Sequence, residues 1–301
     1  TLFLSAISPG NTIQIGGVEY AVAAVPSATS LTLSTPYAGA TASGLPVNAC
    51  PAGGMVYSGQ AFSALVSARN LVGALTTNYT GQFFAKAVTL GAAATGGGSA
   101  IAAAAPGGAM SANVAAATTF TNGTNAGSLA APVFTFATAP TVPTSVFVRA
   151  TDTDGVVSLR APAATSVEGG VKVVSGRIRI PNAYGSERLP LPMTATVQYY
   201  NAGASWVTST TDSISSFNSN LTSAGGNVVA TIVNGLGGGV AVVSPGPVTV
   251  AAGVRTFTLA APGVSGNVNI SLNAPIYLPS TVGLATFGIF RSPLIYRREN
   301  Y

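Results

Sequence analysis

Apolar and polar residues alternate along most of this chain, in short runs separated by turn residues. Thr12-Ile13-Gln14-Ile15 and Val18-Glu19-Tyr20-Ala21-Val22 flank Gly16-Gly17, which is two strand-like runs around a two-residue hairpin signal. Ser30-Leu31-Thr32-Leu33-Ser34 repeats the period before Pro36. Residues 1–45 are therefore expected to form a small antiparallel β module. Its opening run, with Leu2, Phe3, Leu4 and Ile7 as apolar positions, is the candidate for a strand that pairs outside its own module, with a neighbouring subunit.

Residues 46–60, with Pro46, Pro51 and Gly53-Gly54, read as a linker. Strand-like runs return at 61–69, 82–88, 132–136 and 145–149, spaced by turn residues as in an Ig-like sandwich, which sets a second domain at 61–168. Inside it, residues 91–128 carry no charge and are rich in Ala, Gly, Ser and Thr. Ala102-Ala103-Ala104-Ala105 lies between Gly96-Gly97-Gly98 and Pro106-Gly107-Gly108, too short a span for a stable helix, so this stretch is expected to be an extended insertion. Asp152-Thr153-Asp154-Gly155 carries an Asp-Gly hairpin signal. The same carboxylates, Asp152 and Asp154, are the hard oxygen ligands that calcium takes, and calcium is the one cofactor the residues leave open.

The third region is 169–301. Its opening segment, 171–180, alternates throughout and is expected to bend at Gly176. Residues two apart on a strand share a face, so Arg177 and Arg179 project together while Ile178 and Ile180 enter a core. The arginine pair reads as a solvated sheet face or as a fork for a carboxylate, with Glu187 and the C-terminal carboxylate as internal partners. Arg297 and Arg298 are candidates for similar anion or packing contacts. Tyr199, Tyr200 and Trp206 read either as core and cross-strand neighbours or as an aromatic platform for a sugar. Short strand-like runs continue towards the C terminus without a convincing amphipathic helix. The expected class is all-β: two or three tandem antiparallel β modules, with Ig-like β-sandwiches in the middle and C-terminal regions.

Composition narrows the function. Of 301 residues, 48% are hydrophobic and 6% charged, against about a quarter charged in an average soluble domain. A surface so poor in ionic groups is weakly protected against association, which suits a protein covered by copies of itself or by a partner. No uninterrupted apolar run reaches the roughly twenty residues of a membrane-spanning helix. The net charge is +5, yet before Arg149 only Glu19, Arg69 and Lys86 are charged. Scattered arginines with few lysines are not the dense basic patch that nucleic acid requires.

There is no histidine, which rules out Ser-His-Asp and Cys-His catalysis and removes the commonest zinc ligand. A carboxylate pair such as Asp152 with Glu187 is the remaining route to hydrolysis, and Asp152 sits in an evident turn, so no enzyme is expected. The single cysteine, Cys50, allows no internal disulfide; it is a small buried hydrophobe or a thiol that pairs with another chain. The chain starts at Thr1 without an initiator Met, as expected after removal of a leader or for a piece of a longer precursor.

Gly176-Arg177-Ile178-Arg179-Ile180-Pro181-Asn182-Ala183-Tyr184-Gly185, then Gln198-Tyr199-Tyr200, Trp206-Val207-Thr208, Phe287-Gly288-Ile289-Phe290 and Tyr296-Arg297-Arg298-Glu299-Asn300-Tyr301 resemble the C-terminal domain of unknown function of MshQ-like proteins. These are large secreted proteins associated with the mannose-sensitive haemagglutinin type IV pilus. The resemblance implies export from a Gram-negative bacterium and a pilus-associated or surface role, and no reaction. Together these features lead to the expectation of a non-enzymatic structural subunit of an extracellular filament, with copies of itself or other pilus components as partners. The alternative is a pilus-tip or cell-surface adhesin for carbohydrate or a host surface.

Overall fold

The computed structural model describes residues 12–288, except 16–17, 28–29, 40–46, 50–54, 71–72, 95–106, 159–167, 202 and 204. Leu2, Phe3, Leu4, Ile7, Cys50, Arg297 and Arg298 lie outside the described residues. The chain divides into two units, Thr1–Gly176 with Gln198–Ile214, and Arg177–Val197 with Ser215–Tyr301. No helix among the described residues is long and apolar enough to cross a membrane.

The first unit begins with the hairpin expected from its alternation. β1 (Thr12–Ile15) and β2 (Val18–Ser27) pair antiparallel with Ile15 opposite Val18. β3 (Ser30–Leu33) and β4 (Val47–Ala49) complete a sheet in the order β3-β2-β1-β4. Ile13, Tyr20 and Val22 form its buried side, packed against Val25, Leu31, Leu33 and Tyr37.

The rest of this unit is built from β5 (Met55–Tyr57), β6 (Val88–Ala93), β7 (Gly108–Ser111), β8 (Val114–Ala115), β9 (Val133–Phe136), β10 (Thr144–Asp152) and β11 (Gly170–Val174). They form one sheet, β5-β11-β10-β6-β8, and the pair β7-β9. Two apolar clusters fill it. One joins Val56, Phe62, Phe134, Phe136, Val146, Val171 and Val173; the other joins Ala64, Ala85, Val88, Leu90, Ala115, Phe120 and Ala130.

Several local expectations differ from what is observed here. Within 46–60, read above as a linker, β4 pairs with β1, and β5 pairs with β11 in parallel. The 82–88 run is not a strand at its start but a single helical turn, α1 (Gly81–Phe84), closed by the Ala85 N–H donating to Gly81 O at 2.9 Å. Gly81 has φ +61°, a conformation glycine adopts without penalty, and the turn leaves Phe83 and Phe84 83% and 72% exposed.

The described part of the expected insertion is integral to the unit: β7 pairs with β9, β8 with β6, and Phe120 and Asn125 are buried. Small residues make this possible. A Cβ on Gly108 would lie 2.4 Å from Thr135 O and 2.5 Å from the Phe134 ring. Asn125 Oδ1 accepts from Val66 N–H at 2.8 Å while its amide donates to Ala64 O at 3.3 Å. That bond helps hold residues 61–68, which make isolated bridges to Val133, Ala130 and Thr124.

β12 (Gly176–Arg179) leads into the second unit, followed by β13 (Ala183–Gly185) and β14 (Leu191–Asn201). β15 (Ser205–Thr208) returns to the first unit and pairs with the far end of β14. The second unit continues with β16 (Ser216–Asn218), β17 (Val228–Asn234), β18 (Val242–Val243), β19 (Pro247–Thr249), β20 (Val254–Leu259), β21 (Gly266–Leu272) and β22 (Gly283–Phe287). Its sheets run β12-β14-β20-β18 and β13-β22-β21-β17, with β16 paired to β19.

Burial follows the strand period closely. β21 alternates buried and half-buried along its whole length, and Leu191, Met193, Ala195 and Val197 of β14 all point inward. Glycine allows the two layers to meet: a Cβ on Gly283 would fall 2.7 Å from the Ile180 side chain, and one on Gly185 would fall 2.9 Å from Leu191. Ile180 and Leu191 therefore project from their segments towards the β13-β22 sheet. β13 and β22 run parallel, Ala183 opposite Ala285, so the modules are not purely antiparallel.

Candidate functional site

The carboxylates singled out for calcium serve the turn that carries them. Asp152 Oδ1 accepts from the N–H groups of Asp154 and Val156, both at 2.9 Å, and Gly155 has φ +80°. This is a side-chain-closed hairpin turn. Asp154 Oδ2 lies 3.4 Å from Lys86 Nζ, with both side chains about half exposed. Among the described residues no three His, Cys, Asp or Glu side chains gather as a metal site. Tyr79, near this turn, has its phenol pushed above the ordinary value, chiefly by burial, against the bond from the Lys86 backbone and with Asp152 and Asp154 adding to the rise.

The aromatic trio does not share one face. Tyr200 stands opposite Trp206 across the β14–β15 pair, with ring centroids 5.5 Å apart at 65°, an edge-to-face contact. Tyr199 stands opposite Val207, and strand alternation sends it to the other side.

The first unit also hides two polar groups that the sequence did not single out. The Arg149 Nε–H donates to Glu168 Oε1 at 2.7 Å; the Glu168 side chain is fully buried, and Ser158 Oγ–H adds a bond to the same oxygen at 3.1 Å. The Tyr57 hydroxyl donates to Asp212 Oδ2 at 3.0 Å and lies 2.8 Å from Ser209 Oγ, with Asp212 and Ser209 both buried. Polar groups this deep need such partners. Sequence spacing could not reveal either cluster, because their members come from separate strands and loops. In both clusters the carboxylate already accepts hydrogen bonds.

Arg177 and Arg179 behave as the alternation of β12 requires: Ile178 is 1% exposed, Arg177 is half-buried and Arg179 exposed. The Arg177 guanidinium has its pKa lowered, first by burial and then by the nearby Arg179 cation. On the same outer side of this sheet, β14 and β20 place Thr194 directly opposite Thr256, Thr196 opposite Val254, and Pro192 opposite Thr258. Glu187, considered above as a partner for the arginines, lies 3.7 Å from Arg188 Nε.

Two family models account for most of the sequence. The third domain of DUF6701 matches residues 37–173, and the fourth domain of DUF6701 matches residues 174–300. The chain belongs to the DUF6701 family. In this DUF6701 chain the two matches meet at the end of β11. None of the curated proteins matches it.

Among solved structures it is similar to the FdeC adhesin of Escherichia coli, at 15% identity and a TM-score of 0.28 over 77% of this chain and 59% of that one. It is also similar to the Yersinia pseudotuberculosis adhesin InvE, at 9% identity and 0.27 over 78% and 56%, and to the D0-D1 domain of intimin, at 13% and 0.21 over 78% and 94%. Likenesses this slight carry no argument. The all-β assignment rests on the strands of this chain itself.

Proposed function

We propose that the chain is a non-enzymatic structural subunit of an extracellular filament or pilus-associated surface assembly, exported from a Gram-negative bacterium and joined to its neighbours by pairing at strand edges. The observation that supports this is β17. It is the outermost strand of its sheet among the described residues, seven residues long without a charge or a proline. Such residues are the usual protection of a free edge.

The start of that edge is covered: Val228 N–H donates to Asn220 O at 2.9 Å, and Leu221 bridges Val228. Main-chain direction alternates along an antiparallel strand, so the N–H and C=O groups of Ala230 and Ile232 also point outward, beyond the cover. Residues Thr231, Ile232, Val233 and Asn234 are exposed, and the register shift between Ile232 and Asn234 ends the open stretch in a bulge. An extended apolar segment from another copy would complete this edge by β-strand addition, and the opening run with Leu2, Phe3, Leu4 and Ile7 is the proposed donor. Head-to-tail donation that does not close into a ring gives an open filament. The test is deletion of residues 1–8: long polymers seen by electron microscopy for the parent chain should disappear, and filaments that persist unchanged would end the donor-strand reading.

A cell-surface adhesin that binds carbohydrate is the second reading, favoured by the half-buried Tyr200–Trp206 pair at the β14–β15 hairpin. An adhesin should sediment as a small species and bind glycans saturably, whereas a filament subunit should sediment as long polymers without ligand.

A further inference from the structure

The outer face of the β12-β14-β20 sheet carries threonine hydroxyls and the exposed cation of Arg179. Thr194, Thr196 and Thr258 are half-buried and Thr256 is exposed, and their side-chain hydroxyls have no hydrogen-bond partner among the described residues. Thr194 and Thr256 face each other in register, and adjacent strands are about 4.8 Å apart, so these hydroxyls form a flat patch. Arg179, exposed and without an ion pair to any described residue, stands on the neighbouring strand with Arg177 beside it on the same face. Among the described residues of this unit Glu187 is the one carboxylate, and it lies in the loop beside Arg188.

The charge and chemistry of this face select its occupant. A planar guanidinium matches a carboxylate through two parallel hydrogen bonds, while threonine hydroxyls both donate to and accept from sugar hydroxyls. Nucleic acid fits poorly, because the face offers too few cations for a phosphate backbone. A neutral glycan would leave the cation unmatched. We propose that the outer face of the β12-β14-β20 sheet, with Arg177 and Arg179 at its rim and Thr194, Thr196, Thr256 and Thr258 across it, binds an acidic polysaccharide through its uronate carboxylates. This goes beyond polymerisation and does not depend on it.

Polygalacturonate is the probe, offered to the full chain at moderate salt, with its fully methyl-esterified form and double-stranded DNA as comparisons. Saturable binding of polygalacturonate alone is expected. Arg179→Ala should weaken it by about tenfold, since a charge-assisted bond is among the stronger single contacts. Arg179→Lys should recover part of the loss, because the charge remains without the bidentate fork. Arg188→Ala, in the Glu187 loop, should bind as the parent does. Absence of binding, equal binding of the methyl-esterified polymer or of DNA, or full affinity in a folded Arg179→Ala chain would each overturn the proposal.

Discussion

The two units treat their polar groups in opposite ways. The first draws carboxylates inside: Glu168 and Asp212 are both buried and both hydrogen-bonded. In the second, the described residues bury no ionisable side chain. Its core is aliphatic and aromatic, Arg177 and Arg179 stand on a sheet face, and its longest outer strand carries no charge. The buried carboxylates of the first unit tie its loops to strands β10 and β5. In the second, Arg179 is exposed without an ion pair to any described residue and the β17 edge is open, and edge pairing and anion binding are therefore proposed there.

The contrast is most easily broken through Glu168. Glu168→Ala leaves Arg149 without its buried partner, a loss that costs about 3–5 kcal/mol. It should lower the urea midpoint of the first unit while leaving the second unit's transition in place. An unchanged midpoint would mean that the ion pair does not anchor the first unit. A smaller effect is expected from Tyr57→Phe, which takes one hydrogen bond from Asp212 and should cost about 1.5–3 kcal/mol in the same assay. At the low end, Arg179→Ala removes an exposed side chain with no described ion pair, so its stability should stay within about 0.5 kcal/mol of the parent. A large destabilisation would show that this arginine belongs to the fold and would erase the difference between the units.

Much of this division was legible in the residues. Alternation in 171–180 placed Ile178 and Ile180 inside and Arg177 and Arg179 outside, and burial agrees. The Gly16-Gly17 signal predicted the β1–β2 pairing, and Asp152-Thr153-Asp154-Gly155 predicted its turn. The separation of Tyr199 from Tyr200 also follows from period two, since adjacent strand residues point to opposite faces; grouping them by proximity in sequence overlooked that signal.

Other features were hidden because they depend on partners far along the chain. Nothing near Gly108 announces the close approach of Thr135, and nothing near Tyr57 announces Asp212. The parallel pairs β5–β11 and β13–β22 join segments separated by long stretches of chain, which periodicity alone does not connect. Thr194 and Thr196, like Thr256 and Thr258, have the spacing of one strand face, but only the register between β14 and β20 makes them a single surface.

The central claim, that the β17 edge joins subunits, is tested most directly by Ala230→Pro. The Ala230 N–H points away from β21, so proline there removes an outward donor while sparing the existing ladder, and edge strands tolerate proline with that orientation. Sedimentation velocity should show long polymers for the parent chain and a small species for a folded Ala230→Pro chain. Polymers of undiminished length in that variant would contradict edge pairing through β17.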